Sequence, residues 1–340
     1  MKLPHRRRLA RAALVALALG LALEAVVGAL LWDHFLVGIG FALLRWPALA
    51  LAGVLALVVT RPTSARTRRL VLGCAVVVAL LHGGDLITGS LARARTIAPE
   101  GGRPITVLAY NLLFRGGVPE DTLEVIARSD ADVLALQEIT PAWHRRLEDR
   151  LKARYPHRRV YAHVGTHGYA VYSRFPLSEP EYLWSQRKTL PFAQVLEVRA
   201  PGRTVALANA HLLSPAVSFH RSRDELLPSL AHNLEARRKE WRKLTAYLDE
   251  RYPDRPHLVV GDLNTMEPDP LHREVEQRYV DAFRATSLTP GFTWPALGRL
   301  PLPLFRIDYV LASPELYVDD ARVMDGGGSD HRAVLARLRI

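Results

Sequence analysis

The sequence has a single cysteine in 340 residues, Cys74, so no internal disulfide can brace it. Its flanks, VLGCAVVVALL, are apolar enough for packing within lipid. A broad basic surface is also lacking, although a formal charge of +11 invites a nucleic-acid reading. Residues 1–100 carry 12 Lys/Arg against 4 Asp/Glu, whereas residues 101–340 carry 33 against 30. The excess positive charge belongs mainly to the apolar N-terminal third, where it can set membrane topology. The remainder has no general footprint for a polyanion, which makes nucleic acid the less expected partner. There is no internal repeat, and no small-residue cleavage site follows the first apolar run.

Long apolar runs are what the N-terminal third does contain. A bilayer core of ~30 Å takes ~20 apolar residues of helix, and residues 12–31, 35–59 and 70–88 all qualify. These runs predict a membrane module over 1–100 and a second domain over 101–340. Lys2, Arg6, Arg7, Arg8 and Arg11 precede the first span, and Arg61, Arg66, Arg68 and Arg69 separate the second from the third. The positive-inside rule puts both clusters in the cytoplasm, so three crossings leave the C-terminal domain outside. Arg93 and Arg95 oppose that orientation, and a re-entrant second segment at Arg45 would reverse it. Glu24, Arg45 and Asp85 are charges at membrane depth. Each is a candidate functional residue, but Arg45 beside Trp46 is expected to snorkel and Asp85 to reach the interface.

From about residue 105 the texture becomes that of an α/β domain. Residues 105–111, 132–138, 204–211, 257–264 and 306–311 read as strands, and 119–130 and 233–252 as amphipathic helices. Several strands end on a side chain able to hold a metal or move a proton: Asn111, Glu138, His211, and Asp262 with Asn264. Alternation along a strand turns Asp262 and Asn264 to the same face. Two further elements begin with such groups, at Arg306-Ile307-Asp308 and Ser329-Asp330-His331. Singly, each Asn reads as a turn residue and His211 as a structural histidine. Together they converge on one cleft if the strand ends share an edge.

In order along the chain, LAYNLL, LQEI, NAHLL, GDLNT, RIDYVL and GSDHRAV resemble the motifs of the endonuclease/exonuclease/phosphatase superfamily. That superfamily includes deoxyribonuclease I, abasic-site endonucleases, neutral sphingomyelinases and inositol polyphosphate phosphatases. The resemblance covers residues 105–340 and implies a four-layer α/β sandwich, two mixed β-sheets flanked by helices, with a Mg2+-dependent site that Mn2+ could also serve. It implies Glu138 as first metal ligand, with Asp330 and Asn111 completing or supporting the shell. His331 would face the phosphorus, with Asp308 fixing its ring. Asp262 would orient or deprotonate the attacking water, Asn264 would donate to a phosphoryl oxygen, and His211 would donate to another or assist the leaving group. The proton assignments of His211 and His331 stay open. Membrane spans followed by such a domain also resemble membrane-anchored bacterial members, including the teicoplanin-resistance VanJ type.

His167, Arg221, Arg223 and Trp294 are further candidates for substrate contact. Each has a plainer reading, in a solvated loop or, for the apolar stretch 291–306, in packing on the domain. The expected activity is hydrolysis of a phosphoester or pyrophosphate, lipid-linked and arriving by lateral diffusion, with the bilayer as partner and no obligate protein partner. The alternatives are an exported endonuclease, whose DNA binding would be salt-sensitive, and a catalytically inactive envelope binding module.

Overall fold

The computed structural model describes residues 3–31, 35–59, 63–95, 102–185, 189–215, 223–267, 269–295 and 303–340. Three helices come first: α1 (Leu3–Leu31), α2 (Phe35–Val58) and α3 (Ala65–Arg95). Each contains a stretch long and apolar enough to cross a membrane, at Arg8–Leu31, Gly40–Val58 and Ala65–Gly84. Their burial is inverted relative to a water-soluble bundle. Leu23, Leu30, Leu57 and Leu80 are exposed, whereas Ala18, Ala25, Ala48 and Ala52 are buried. Lipid is as apolar as leucine, so such helices gain from close backbone approach through small residues rather than from hiding large ones. Gly28 illustrates the approach: a Cβ there would lie 2.0 Å from Cδ2 of Phe41. His82 Nε2 lies 2.9 Å from Glu24 Oε2, tying α3 to α1.

Residues 266–274 belong to the same compact unit as these helices. Within it the buried Arg45 forms an ion pair with Glu267. Arg45 therefore does not snorkel, because an acidic side chain supplies the counter-charge its guanidinium would otherwise seek at the interface. The third apolar helix also starts earlier and runs further than the expected 70–88.

The second unit holds residues 90–265 and 275–340. Its strands are β1 (Pro104–Asn111), β2 (Val133–Gln137), β3 (His157–Tyr161), β4 (Tyr169–Ser173), β5 (Glu181–Trp184), β6 (Pro191–Ala200), β7 (Arg203–His211), β8 (His257–Asp262), β9 (Val280–Asp281), β10 (Asp308–Ala312), β11 (Tyr317–Val323) and β12 (Val334–Arg339). Helices α4 (Glu120–Ser129), α5 (Pro141–Leu151), α6 (Arg223–Arg251) and α8 (Ala282–Thr286) accompany them, and α7 (Pro270–Glu276) lies largely in the first unit. The five expected strands form to within two residues at each end. The helix expected over 233–252 begins at Arg223 instead, so residues 223–228 are helical rather than loop.

The strands make two six-stranded sheets, in the orders β11-β12-β1-β2-β4-β3 and β5-β6-β7-β8-β10-β9. With helices flanking them, this is the expected layered sandwich. One core fills the space between the sheets, where Val107, Ala109, Val133 and Val171 meet Leu196, Leu207, Val260 and Val310. A second packs α4 and α5 on the outer face of the first sheet, around Leu123, Ile126, Trp143 and Leu147. Because these strands are covered on both faces, their sequences read as continuous apolar runs rather than alternations.

Topology decides where the polar ends go. β1 and β2 run parallel, with Asn111 paired to Gln137. β7 and β8 also run parallel, with His211 paired to Asp262. Their C-terminal ends therefore finish level. The antiparallel neighbours begin where these end: Asp308 of β10 pairs with Asp262, and β12 starts with Val334 opposite Ala109. A chain leaving on parallel strands and entering on antiparallel ones delivers both sets of polar groups to one edge.

Candidate active site

The site is built around one oxygen, Oδ2 of Asp262. Asn111 Nδ2 donates to it at 3.1 Å, His211 Nε2 lies 3.5 Å away and His331 Nε2 lies 3.7 Å away. Three separate segments thus meet a fourth. Asn111 Nδ2 also reaches Glu138 Oε1 at 3.2 Å, while the backbone N–H of Phe114 donates to Glu138 Oε2 at 2.8 Å. The last segment arrives through Ser329, whose hydroxyl donates to the Asn111 carbonyl at 2.7 Å and accepts the His331 amide at 3.0 Å.

Asp308 holds the His331 ring. Its two oxygens lie 3.1 and 2.9 Å from Nδ1. Since a carboxylate only accepts, Nδ1 carries the proton and Nε2 faces Asp262. Burial disfavours the imidazolium, but the charges of Asp308 and Asp262 outweigh it and push the His331 pKa up to about 10. Burial raises the pKa of Asp262, and His331 and His211 oppose that rise.

Asn264 reaches the site by a different route from the expected one. β8 ends at Asp262, so alternation does not align the two residues. Instead the Asn264 amide donates to Asp262 Oδ1 at 2.9 Å, a turn that asparagine tolerates at its φ of 49°. The Asn264 Nδ2 donates to the Leu212 carbonyl at 2.9 Å, which leaves one N–H for a substrate. Glu138 (φ 61°) and Leu113 (φ 62°) are also left-handed. Three of the four such non-glycine residues among those described lie in the loops of this site, where strain is commonly stored for function.

Of the substrate candidates, Trp294 borders the site. Its Nε1 lies 3.4 Å from Asp330 Oδ2 and its ring centroid 6.5 Å from that of His331. His167 stands beside His211, with centroids 6.4 Å apart. Arg221 lies outside the described residues, and Arg223 opens α6 with its side chain outside them.

The structure adds residues the sequence did not single out. The buried Glu240 on α6 accepts the Leu213 amide at 2.8 Å, and Arg237, one turn earlier, donates to the Asn264 carbonyl. One helix face thus clamps the segments that follow His211 and Asp262. Thr293 Oγ1 accepts the amides of Ile307 and Asp308 at 3.1 and 3.3 Å, steadying the start of β10. The i, i+3 spacing of Arg237 and Glu240 was the available signal, but it is equally that of a solvated helix face.

A divalent cation fits this donor set. Asp330 Oδ1 is buried with no hydrogen-bond partner, a costly state for a carboxylate oxygen that a cation relieves. Asp262, Asp308 and His331 each bring a ligand atom within 4.8 Å of the others. Because both Asp308 oxygens face His331 Nδ1, that trio serves better to orient the ring. Asn111, Glu138 and Asp330 carry oxygen donors of the kind a hard ion prefers.

The sequence model of the Endonuclease/Exonuclease/phosphatase family matches residues 108–331, a stretch that takes in every site residue from Asn111 to His331. The chain belongs to this family. Among solved structures, the endonuclease/exonuclease/phosphatase protein of Beutenbergia cavernae is 22% identical, aligning 70% of this chain with 72% of that one at a TM-score of 0.53. D. rerio TDP2, complexed with a single-strand DNA product, is 17% identical over 70% of this chain and 99% of its own, TM-score 0.54. The Bacteroides vulgatus endonuclease/exonuclease/phosphatase is 16% identical over 69% and 98%, TM-score 0.53. At such identities the likeness is one of fold. No curated protein matches the chain.

Proposed function

We propose that this family member is a membrane-anchored, divalent-metal-dependent hydrolase of phosphoester or phosphoanhydride bonds. Its substrate is lipid-linked, and it acts at the extracytoplasmic face. The observation that carries the chemistry is the meeting of Asn111, His211 and His331 at one oxygen of Asp262. Asp262 is the acceptor for the proton of an attacking water, while His211, Asn264 and His331 supply N–H donors for phosphoryl oxygens. Glu138, Asp330 and Asn111 would hold Mg2+ or Mn2+, which when bound neutralises charge on the phosphoryl group. Three apolar helices and the near-balanced charge of residues 101–340 favour a substrate delivered by the membrane over one steered from solution. Apolar spans followed by such a domain resemble the architecture of VanJ-type proteins.

The deciding assay uses the full chain in detergent, with Mg2+ or with EDTA. Phosphate release is measured from a polyprenyl pyrophosphate, sphingomyelin, inositol phosphates and plasmid DNA. Metal-dependent turnover of the polyprenyl substrate is expected. Nicking of DNA with the lipid substrate untouched would instead favour the exported-nuclease reading. A reporter fused after Ile340 should be active only outside the cytoplasm.

A further inference from the structure

We propose that His163 and His167 form a second anion subsite beside His211, taking the phosphoryl group next to the one being cleaved. Resting on the phosphohydrolase reading, this narrows the substrate to compounds with two neighbouring phosphoryl groups, as in a diphosphate ester.

The rings form a row that ends in the active site. Tyr161 and His163 have centroids 6.4 Å apart, His163 and His167 are 6.3 Å apart, and His167 and His211 are 6.4 Å apart. A spacing of this size is roughly what two imidazoles adopt when one oxygen-bearing group hydrogen-bonds to both.

The tautomers are set by what the rings touch. His167 Nδ1 lies 3.1 Å from the Pro191 carbonyl, and His211 Nδ1 lies 3.1 Å from the Thr166 carbonyl. A carbonyl only accepts, so both Nδ1 atoms carry protons and each ring has Nε2 left for a ligand. His163 Nδ1 is buried with no hydrogen-bond partner. A histidine that serves packing alone normally has its buried polar atoms satisfied; this one does not.

Within the row, His163 and His167 have no carboxylate partner of their own among the described residues. Burial lowers the His167 pKa, His211 and then His163 lower it further, and only the Pro191 carbonyl resists. Asp262 stands against His211, but no carboxylate hydrogen-bonds to His163 or His167 among the described residues. The other titratable groups facing the row are Glu240, whose charge acts on His211, Tyr161, stacked on His163, and Tyr169, whose hydroxyl shares the Pro191 carbonyl at 3.2 Å. An anion provides the missing charge and lets Nε2 take up a proton and donate it.

The two imidazoles are also held in place before any ligand arrives. The loop bearing them joins β3 to β4 and is fastened at both ends to Ile139, the residue after Glu138. The His163 amide donates to the Ile139 carbonyl at 2.9 Å, and the Ile139 amide donates to the Gly168 carbonyl at 3.2 Å. Only glycine fits at 168, because a Cβ would lie 1.9 Å from the Ile139 carbonyl oxygen. The loop therefore moves with Glu138, and preorganisation of this kind reduces the ordering cost of binding.

The test is calorimetric, on the full chain in detergent with Mg2+. Its probes are methylenediphosphonate, which cannot be hydrolysed, and inorganic phosphate, which fills the catalytic subsite alone. The diphosphonate is expected to bind more tightly. His167→Asn and, separately, His163→Gln are expected to weaken the diphosphonate about tenfold, while phosphate affinity shifts less than about twofold. Equal weakening of both probes, or no preference in the unaltered protein, overturns the second subsite and leaves the hydrolase reading standing. Failure of both probes to bind overturns the two together.

Discussion

Replacing Glu240 by glutamine should stabilise the protein in alkali and leave it unchanged in acid. Burial pushes the Glu240 pKa up from 4.5 to about 7, against the opposing Leu213 amide, His211, Arg237 and Lys243. An unfolded chain loses this proton near the ordinary value, whereas the folded protein keeps it until about pH 7. The folded state therefore binds more protons in that interval, and stability falls as pH rises through it. At 1.36 kcal/mol per unit, the cost above the upper value is about 3 kcal/mol. Glutamine keeps an oxygen for the Leu213 amide without a charge to bury. Thermal unfolding of the full chain in detergent, followed by tryptophan fluorescence, should show Glu240→Gln melting roughly 6–12 °C above the unaltered protein near pH 8. Near about pH 4, below the unfolded value, the two curves should nearly coincide. A variant with the same pH dependence as its parent, or one less stable at the higher pH, would refute the reasoning.

Two further outcomes follow from the same geometry. Asp308→Asn should cut kcat by about 10²–10⁴ with little change in KM, since it removes the carboxylate that fixes the His331 ring. In the metal-free protein, the ring's NMR titration should fall from about 10 toward the ordinary histidine value. Gly261→Ala should destabilise the fold by about 3 kcal/mol or more in denaturant unfolding. Gly261 has φ +124°, and a Cβ there would lie 2.1 Å from the Ala210 carbonyl oxygen.

How much of this could be read in advance depended on what each residue answers to. β1, β2, β7 and β8 were legible because buried strands need uninterrupted apolar runs, and the polar residue closing each run stood out against them. The short strands β3 (His157–Tyr161) and β5 (Glu181–Trp184) were missed, since their residues are largely half-buried and give neither a run nor a clean alternation. Asp262 and Asn264 were paired for the wrong reason: a side-chain hydrogen bond in a turn, not strand periodicity, brings Asn264 in. Arg45 was expected to snorkel because its partner, Glu267, lies 222 residues away along the chain. Glu240 looked like any charge on a helix face, and only its burial against the segment after His211 made it a positioning residue.

The sequence by itself determined the inventory and the local form. It set three helices apolar enough for a bilayer, the apolar runs of the buried strands, and a set of carboxylates, amides and imidazoles at strand ends. Those properties follow from side-chain chemistry and periodicity, which are local. Which oxygen becomes the centre, which nitrogen carries the proton and which carboxyl is pushed off its ordinary pKa were decided by tertiary structure alone. Each is a matter of distances of a few ångströms and of water excluded, between residues whose separation along the chain says nothing about either.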